Sequence, residues 1–331
     1  MVITLLTFFL LPKPSQLLVC LFNNRSIKFK KQSIIILNFF TIFLSIFLNK
    51  NGKLNKICLC AIAKEENKYI REFIDHYKKY EIDKIYLFDN NNKNGEKFED
   101  VIDDYIKNGF VELIDYKGFL NPQIQSYNDC YKRYNKLYDW LIFFDIDEFI
   151  FLKDFTSFKS FLNDKRFDKC NRVQFNWIFF TDNNLLYYED KPVRERFTER
   201  EPKARGKKIG GEQGVKSAIR GNINNFEITS AHILNRHTRS CDGFGKRKKV
   251  KGVITKESDF EFYYIEHYYC KSTEEFINNK LKKSDVFFKK DVNMVKIKVY
   301  FGYNKITNEK IDLIEKETKY NLSIYRNRTE S

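Results

Sequence analysis

From Lys56 onward, short apolar runs alternate with amphipathic segments, and that alternation leaves few folds open. Residues 56–63 (KICLCAIA) form an apolar run of strand length. Within residues 69–80, Ile70, Phe73, Ile74 and Tyr77 recur at i, i+3, i+4 and i+7, one face of a helix. Residues 84–88 (KIYLF) predict a second strand, ending in Asp89 and an Asn-rich turn closed at Gly95. Residues 98–108 predict a helix capped by Gly109, and residues 110–114 a third strand. A further helix is expected over 123–134 and a fourth strand over 140–144 (WLIFF). Such a series demands a parallel sheet with right-handed crossovers, helices on its faces and ligands beyond the carboxyl ends of its strands. Neither GxGxxG nor a P-loop follows the first strand, which disfavours ordinary dinucleotide and Walker-type sites.

The whole chain has 331 residues, 43% hydrophobic, 17% aromatic and 31% charged, which excludes the disordered, collagenous and coiled-coil classes. Its net charge of +15 taken alone would suggest a polyanionic partner. The distribution argues otherwise. Residues 1–64 carry nine Lys or Arg and no acid, residues 194–256 carry 17 basic and 6 acidic residues, and the remainder is net acidic. Two separate basic zones need separate explanations, and a nucleic-acid partner is not expected.

Three parts are expected: an apolar and basic segment over 1–53, an α/β domain over 54–290 and a helical tail over 291–331. The uncharged stretch 32–49 contains IIILNFFTIFLSIFL at 34–48, slightly short of the roughly 20 apolar residues a spanning helix needs. Lysines and arginines flank it on both sides, so the positive-inside rule gives no orientation. It is read as a single membrane anchor or an in-plane element, the alternatives being an over-extended reading frame or a tail packed on the domain. Seven Cys without CxxC spacing read as reduced thiols, as in a cytoplasmic or membrane-associated protein facing a reducing compartment. Cys58 and Cys60, two apart in a strand, share one face.

The fourth strand runs straight into Asp145-Ile146-Asp147-Glu148. In an extended segment Asp145 and Asp147 point to one side. Two carboxylates ending an apolar strand repel each other and lose solvation unless a cation lies between them, and a hard divalent ion shared with substrate phosphates is the usual remedy. Of the four His, His76 lies beside an apolar helix face and reads as structural, whereas His232 and His267 each follow a short strand-like stretch.

In these residues the chain resembles the GT-A glycosyltransferases, and more narrowly the family 92 glycosyltransferases and their bacterial relatives. The matching pieces, in order over about residues 57 to 285, are Ala63-Lys-Glu-Glu66, Lys84-Ile-Tyr-Leu-Phe-Asp-Asn90, Gln125-Ser-Tyr-Asn-Asp-Cys130, Phe143-Phe-Asp-Ile-Asp-Glu-Phe149, Asn176-Trp177, Glu195-Arg-Phe197, Lys216-Ser-Ala-Ile-Arg220 and His267-Tyr-Tyr-Cys-Lys-Ser-Thr-Glu-Glu-Phe276. Two departures stand out: Lys64-Glu65-Glu66 where the family usually has Lys-Asn-Glu, and Phe179-Phe180-Thr181-Asp182 where small residues usually follow the Asn-Trp pair. The resemblance implies a GT-A-like, mostly parallel sheet flanked by helices, with helices at the C-terminus. It further implies transfer of a hexosyl or N-acetylhexosaminyl group from a nucleotide-diphosphate sugar, foremost a UDP-sugar, to a glycan or lipid-linked acceptor, with inversion.

Under the same resemblance Asp145 and Asp147 hold Mn²⁺ or Mg²⁺ against the donor diphosphate, joined by His232 or His267. Ala63, Lys64, Glu66, Asp89, Gln125 and Asn128 contact the donor, Lys216 and Arg220 grip phosphate, and Glu195 or Asp182 serves as base. Two rivals stand beside it. A haloacid-dehalogenase-type phosphatase also ends an apolar strand in D-x-D but wants Thr or Val where Phe149 stands, and a basic membrane-surface or nucleic-acid adaptor would bind polyanions without metal.

Overall fold

The computed structural model describes residues 56–119, 122–200, 214–232, 234, 235, 237–248, 259–282 and 290–328. The segment 1–53, with its apolar run 34–48, lies outside them. Among the described residues no helix is long and apolar enough to cross a membrane.

The predicted alternation forms: β1 (Ile57–Ala63), α1 (Asn67–Lys79), β2 (Lys84–Asp89), α2 (Glu99–Lys107), β3 (Val111–Asp115), α3 (Gln123–Tyr134) and β4 (Trp140–Phe143). Period-two alternation sorts β1 between two cores. Ile57, Leu59 and Ala61 pack on the face that holds Ile70, Phe73, Ile74 and Tyr77 of α1, while Cys58 and Cys60 pack on the other with Tyr127, Cys130 and Tyr131 of α3. Burying both faces explains why β1 reads as a continuous apolar run. Gly109, after α2, has φ +78°, the left-handed value a helix-ending glycine supplies at no steric cost.

The chain continues through β5 (Glu148–Leu152), α4 (Phe158–Leu162), β6 (Arg172–Phe179), α5 (Val193–Arg196), β7 (Val215–Arg220), β8 (Ser240–Cys241), β9 (Arg247–Lys248), α6 (Asp259–Phe262) and β10 (Tyr263–His267). Then follow α7 (Thr273–Phe276), a π-helical segment (Ile277–Lys282), α8 (Lys290–Tyr303), α9 (Asn308–Thr318) and α10 (Ser323–Arg326). The sheet order is β3-β2-β1-β4-β7-β6-β10-β5, with β8 against β6 and β9 against β8. Strands β3, β2, β1 and β4 are mutually parallel, as the alternation predicts. Beyond β4 the sheet is mixed, because β7 runs antiparallel to both β4 and β6, and β5 antiparallel to β10.

Strand β6 is shared. Its residues 172–176 pair with β7, and its residues 177–179 pair in parallel with β10, so β6 carries the fold from one group of strands to the next. The short connection 144–147 between β4 and β5 bridges the same two groups. Close packing holds β7 in place at its far end: a Cβ on Gly221 would lie 2.0 Å from the carbonyl oxygen of Tyr138, so only glycine fits there.

Three expectations need correction. Strand β4 ends at Phe143, and residues 146–147 form a turn, so Asp145 and Asp147 are gathered by turn geometry and not by strand alternation. The first of the helices expected toward the C-terminus, beginning at Thr273, is helical only for one turn before it widens into the π register, which adds about a residue per turn and keeps Ile277 and Leu281 buried. The thiols are not all reduced. Cys60–Cys130 and Cys170–Cys241 are disulfides, while Cys58 and Cys270 are free and buried. Spacing could not reveal this, because each bridge closes a gap of 70 or 71 residues. It withdraws the ground for expecting a reducing compartment.

Candidate active site

The β4–β5 turn is closed twice: the Glu148 N–H donates to the Asp145 carbonyl (3.1 Å), and the Asp145 N–H donates to Glu148 Oε2 (2.9 Å). Helix α3 reaches the turn from one side. Gln123 Nε2 and the Tyr127 hydroxyl, at i and i+4 on one helix face, both donate to Asp145 Oδ1, at 2.8 and 3.0 Å. Strand β7 approaches from below, where the Lys216 ammonium lies 2.8 Å from Asp145 Oδ2 and 3.7 Å from Glu148 Oε2. Glu148 Oε1 and the Lys216 ammonium lack an aligned hydrogen bond, so Lys216 acts here through charge.

Asp147 meets a different set. Its Oδ2 accepts from Lys280 Nζ at 2.8 Å, and its Oδ1 lies 3.5 Å from Nε2 of His267, the last residue of β10. Burial alone would raise both aspartic acids. Lys216 outweighs it at Asp145, and Lys280 with His267 outweighs it further at Asp147, so both carboxyls stay below their ordinary range and are ionised at neutral pH. Glu148 is pushed the other way, well above its ordinary value, by full burial.

The two other histidine predictions separate. His267 packs on Trp177 and Phe179 and keeps an unpartnered buried Nδ1. His232 lies edge-on to Trp177, with its carbonyl accepting from Ser217 Oγ and its Nδ1 likewise unpartnered. Burial first, then Lys216, lowers His232 to about 4, so it is neutral at pH 7. His76 is structural as expected: buried, with Nε2 3.0 Å from the Ile150 carbonyl.

A family model, Glycosyltransferase family 92, matches residues 56–321, most of the chain and every element described above except α10. The chain belongs to glycosyltransferase family 92. A family 92 protein of Ricinus communis is 25% identical over 103 residues, which is 31% of this chain and 18% of that protein, so the match spans less than a fifth of the relative's length. Among solved structures, a mannosyltransferase of Pyrobaculum calidifontis, in complex with GDP-Man and Mn²⁺, is similar at 9% identity and TM-score 0.29, covering 37% of this chain and 35% of that one. Residues 1–349 of S. aureus TarS, in complex with UDP-GlcNAc, are similar at 11% identity and TM-score 0.34, covering 79% of each chain.

In this family 92 chain the remaining predicted residues fall into three groups. Ala63, Lys64 and Glu66 form the β1–α1 turn, where the Asn90 N–H donates to the Ala63 carbonyl and Glu65, at φ +54°, donates its N–H to Asn91. Asp89 ends β2 beside them, buried, 3.0 Å from Lys117 and accepting from the Asn91 N–H. A cavity of about 570 Å³ opens next to this turn, lined by Glu65, Tyr69, Glu96, Glu275 and Asn279 among others.

A second group supports the scaffold. Asn128 clamps Ile228 by both its backbone N–H and its carbonyl, fixing the segment that carries His232. Arg220 lies at the opposite end of β7 from the turn, in register with Trp140, its guanidinium over that ring and donating to the Phe167 and Cys170 carbonyls. Asp182 is buried in an ion pair with Lys310 of α9 (2.6 Å) and accepts from Tyr300. The structure does not bring Arg220 or Asp182 to the turn. A third group, Gln125 and Glu195, is exposed. Gln123, Tyr127, Glu148 and Lys280 are the contacts that sequence reasoning missed. The i, i+4 spacing of Gln123 and Tyr127 was a usable signal, but Lys280, 133 residues from Asp147, gave none.

Proposed function

We propose that this chain transfers a hexosyl or N-acetylhexosaminyl group from a nucleotide-diphosphate sugar, foremost a UDP-sugar, to a glycan or lipid-linked acceptor, with a divalent cation at the Asp145–Asp147 turn. One observation carries the reading: two ionised carboxylates are gathered in a turn at the carboxyl end of β4, where open α/β sheets bind ligands. The donor set suits Mn²⁺ or Mg²⁺. It offers two hard carboxylates and, nearby, two imidazoles, His232 and His267, each with an unpartnered buried nitrogen.

The set is not pre-assembled. Among the described residues no three carboxylate, imidazole or thiol groups stand together as a ready ligand cluster, because each carboxylate is tied to a lysine. When bound, the cation would neutralise charge developing on the departing diphosphate. The chain's own residues do the rest. Lys216 keeps Asp145 ionised, Gln123 and Tyr127 fix its orientation, and Glu148 holds the turn closed. Glu195 is the base we favour over Asp182, since its carboxylate is exposed and not committed to a buried ion pair. The run 34–48 would attach the domain to a membrane.

The test is Mn²⁺-dependent hydrolysis across UDP- and GDP-sugars. We expect Asp147→Asn to lower turnover by about 10²–10³-fold, the cost of losing one preorganised charge-stabilising group. It should keep the fold, because asparagine retains an acceptor for Lys280 and the partly exposed ammonium can turn to solvent. Unchanged turnover in that variant would refute the assignment.

A further inference from the structure

The two carboxylates of the turn are held unequally. Asp145 has both oxygens engaged, and its lysine is sealed in: the Lys216 side chain is 0% exposed and shared with the fully buried Glu148. Moving it would strand the Asp145 carboxylate and leave the buried Glu148 facing it with no cation between. Asp147 has one close partner, Lys280, since His267 stands off at 3.5 Å. The Lys280 side chain is 24% exposed. The Lys296 ammonium holds the Lys280 carbonyl at 2.6 Å, while among the described residues the Lys280 ammonium donates to Asp147 and lies 4.6 Å from the centroid of the Tyr269 ring, with Glu66 acting on it electrostatically.

A third lysine stands beside this pair. Lys271 is 3% exposed, its ammonium over the Tyr69 ring at 4.0 Å, within electrostatic reach of both Asp147 and Lys280. A cation taken up by Asp147 would therefore compete with one ammonium for the carboxylate while a second remains close. With Asp147 given to a cation, the two ammonium groups would keep only the longer-range charges of Glu66 and, for Lys271, Glu275, and a diphosphate offers them closer negative charge.

We propose that Lys280 is an exchangeable counter-ion: it occupies Asp147 in the metal-free protein, yields that carboxylate to a divalent cation, and then presents its ammonium to the donor diphosphate. The proposal rests on the reading of Asp145 and Asp147 as the metal-holding pair. Lys280 can make this exchange because its side chain reaches solvent and leaving Asp147 uncovers one carboxylate that the incoming cation covers again, whereas Lys216 has no exposed path and faces two buried groups. Lys280 thereby acts twice, on the metal site by yielding Asp147 and on the donor by contacting its diphosphate.

The experiment measures Mn²⁺ binding without donor, by calorimetry or by loss of the free-ion EPR signal, and UDP binding at saturating Mn²⁺, on the full chain. Lys280→Met removes the competitor and should tighten Mn²⁺ binding about tenfold while weakening UDP binding about tenfold. Lys280→Arg keeps the charge and offers the carboxylate a bidentate partner, so Mn²⁺ binding should weaken and UDP binding should be largely retained. The arginine variant also decides the matter if the methionine variant does not fold. Mn²⁺ binding by the wild type that neither variant alters overturns the exchange and leaves the metal reading standing. A wild type that binds no Mn²⁺ overturns both.

Discussion

The two halves of the sheet differ in where their partners lie along the chain. Strands β1, β2 and β3 follow one another through single helices, each pairing with the next, and the same series then returns β4 to the open edge of β1. Strands β7, β6, β10 and β5 draw on distant segments: β4 pairs with β7 across Trp140↔Arg220, and β5 with β10 across Glu148↔His267. The first half makes the turn and its negative charge. The second half supplies what neutralises it, namely Lys216 from β7, His267 from β10 and Lys280 beyond. A local scaffold can therefore be read early, while the electrostatics of its site depend on residues that local pattern does not reach.

The largest test of that division is Lys216→Ala. If β7 supplies the charge that makes the turn tolerable, removal leaves Asp145 and buried Glu148 without their cation, and stability should fall by about 3–5 kcal/mol. For a domain of this size the melting temperature should drop by on the order of 10 °C. A variant that melts like the wild type would show that the turn does not need β7.

The disulfides sharpen the comparison, since one lies in each half and they close gaps of 70 and 71 residues, nearly the same chain entropy. Removing either, as Cys60→Ala with Cys130→Ala or as Cys170→Ala with Cys241→Ala, should cost about 2–4 kcal/mol. Cys130 sits in α3, the helix that aims Gln123 and Tyr127 at Asp145, so only the first pair should also lower turnover per folded molecule. Equal turnover in the two variants would detach α3 from the site.

The smallest effect is set by pH. His76, on α1, faces Ile150 of β5, and burial, with help from Arg194, lowers its imidazole to about 3 from an ordinary 6.5. The folded state keeps this ring neutral while the unfolded chain takes up a proton below pH 6.5. The stability it contributes is therefore complete above that pH and is lost progressively as pH falls toward 3. His76→Gln should flatten the decline of the urea midpoint between roughly pH 6 and pH 4. An unaltered slope would place acid sensitivity elsewhere.

What was legible follows from the same contrast. The elements of the parallel half were readable because hydrophobic period is a property of adjacent residues, as in Ile70, Phe73, Ile74 and Tyr77. The D-x-D turn was readable because carboxylates so seldom end an apolar strand. The destination of Lys216 was not, since its sequence neighbours say nothing of β4, and the Lys-Ser-Ala-Ile-Arg match grouped it with Arg220, which the strand delivers to the opposite end. Gln125 was singled out by the same kind of match, but helical phase turns it to solvent and gives the contact to Gln123.

Sharing of β6 between two groups of strands also dictates an order of events during synthesis. Asp147 leaves the ribosome 133 residues before Lys280, a delay on the order of ten seconds at ordinary elongation rates. For most of that interval, from the emergence of β6 to that of β10, the second stretch of β6 has no β10 beside it and the acidic turn has neither His267 nor Lys280. The nascent chain thus exposes an open strand edge near an Asp147 that still lacks its cation, and like charge there would discourage two such chains from pairing edge to edge.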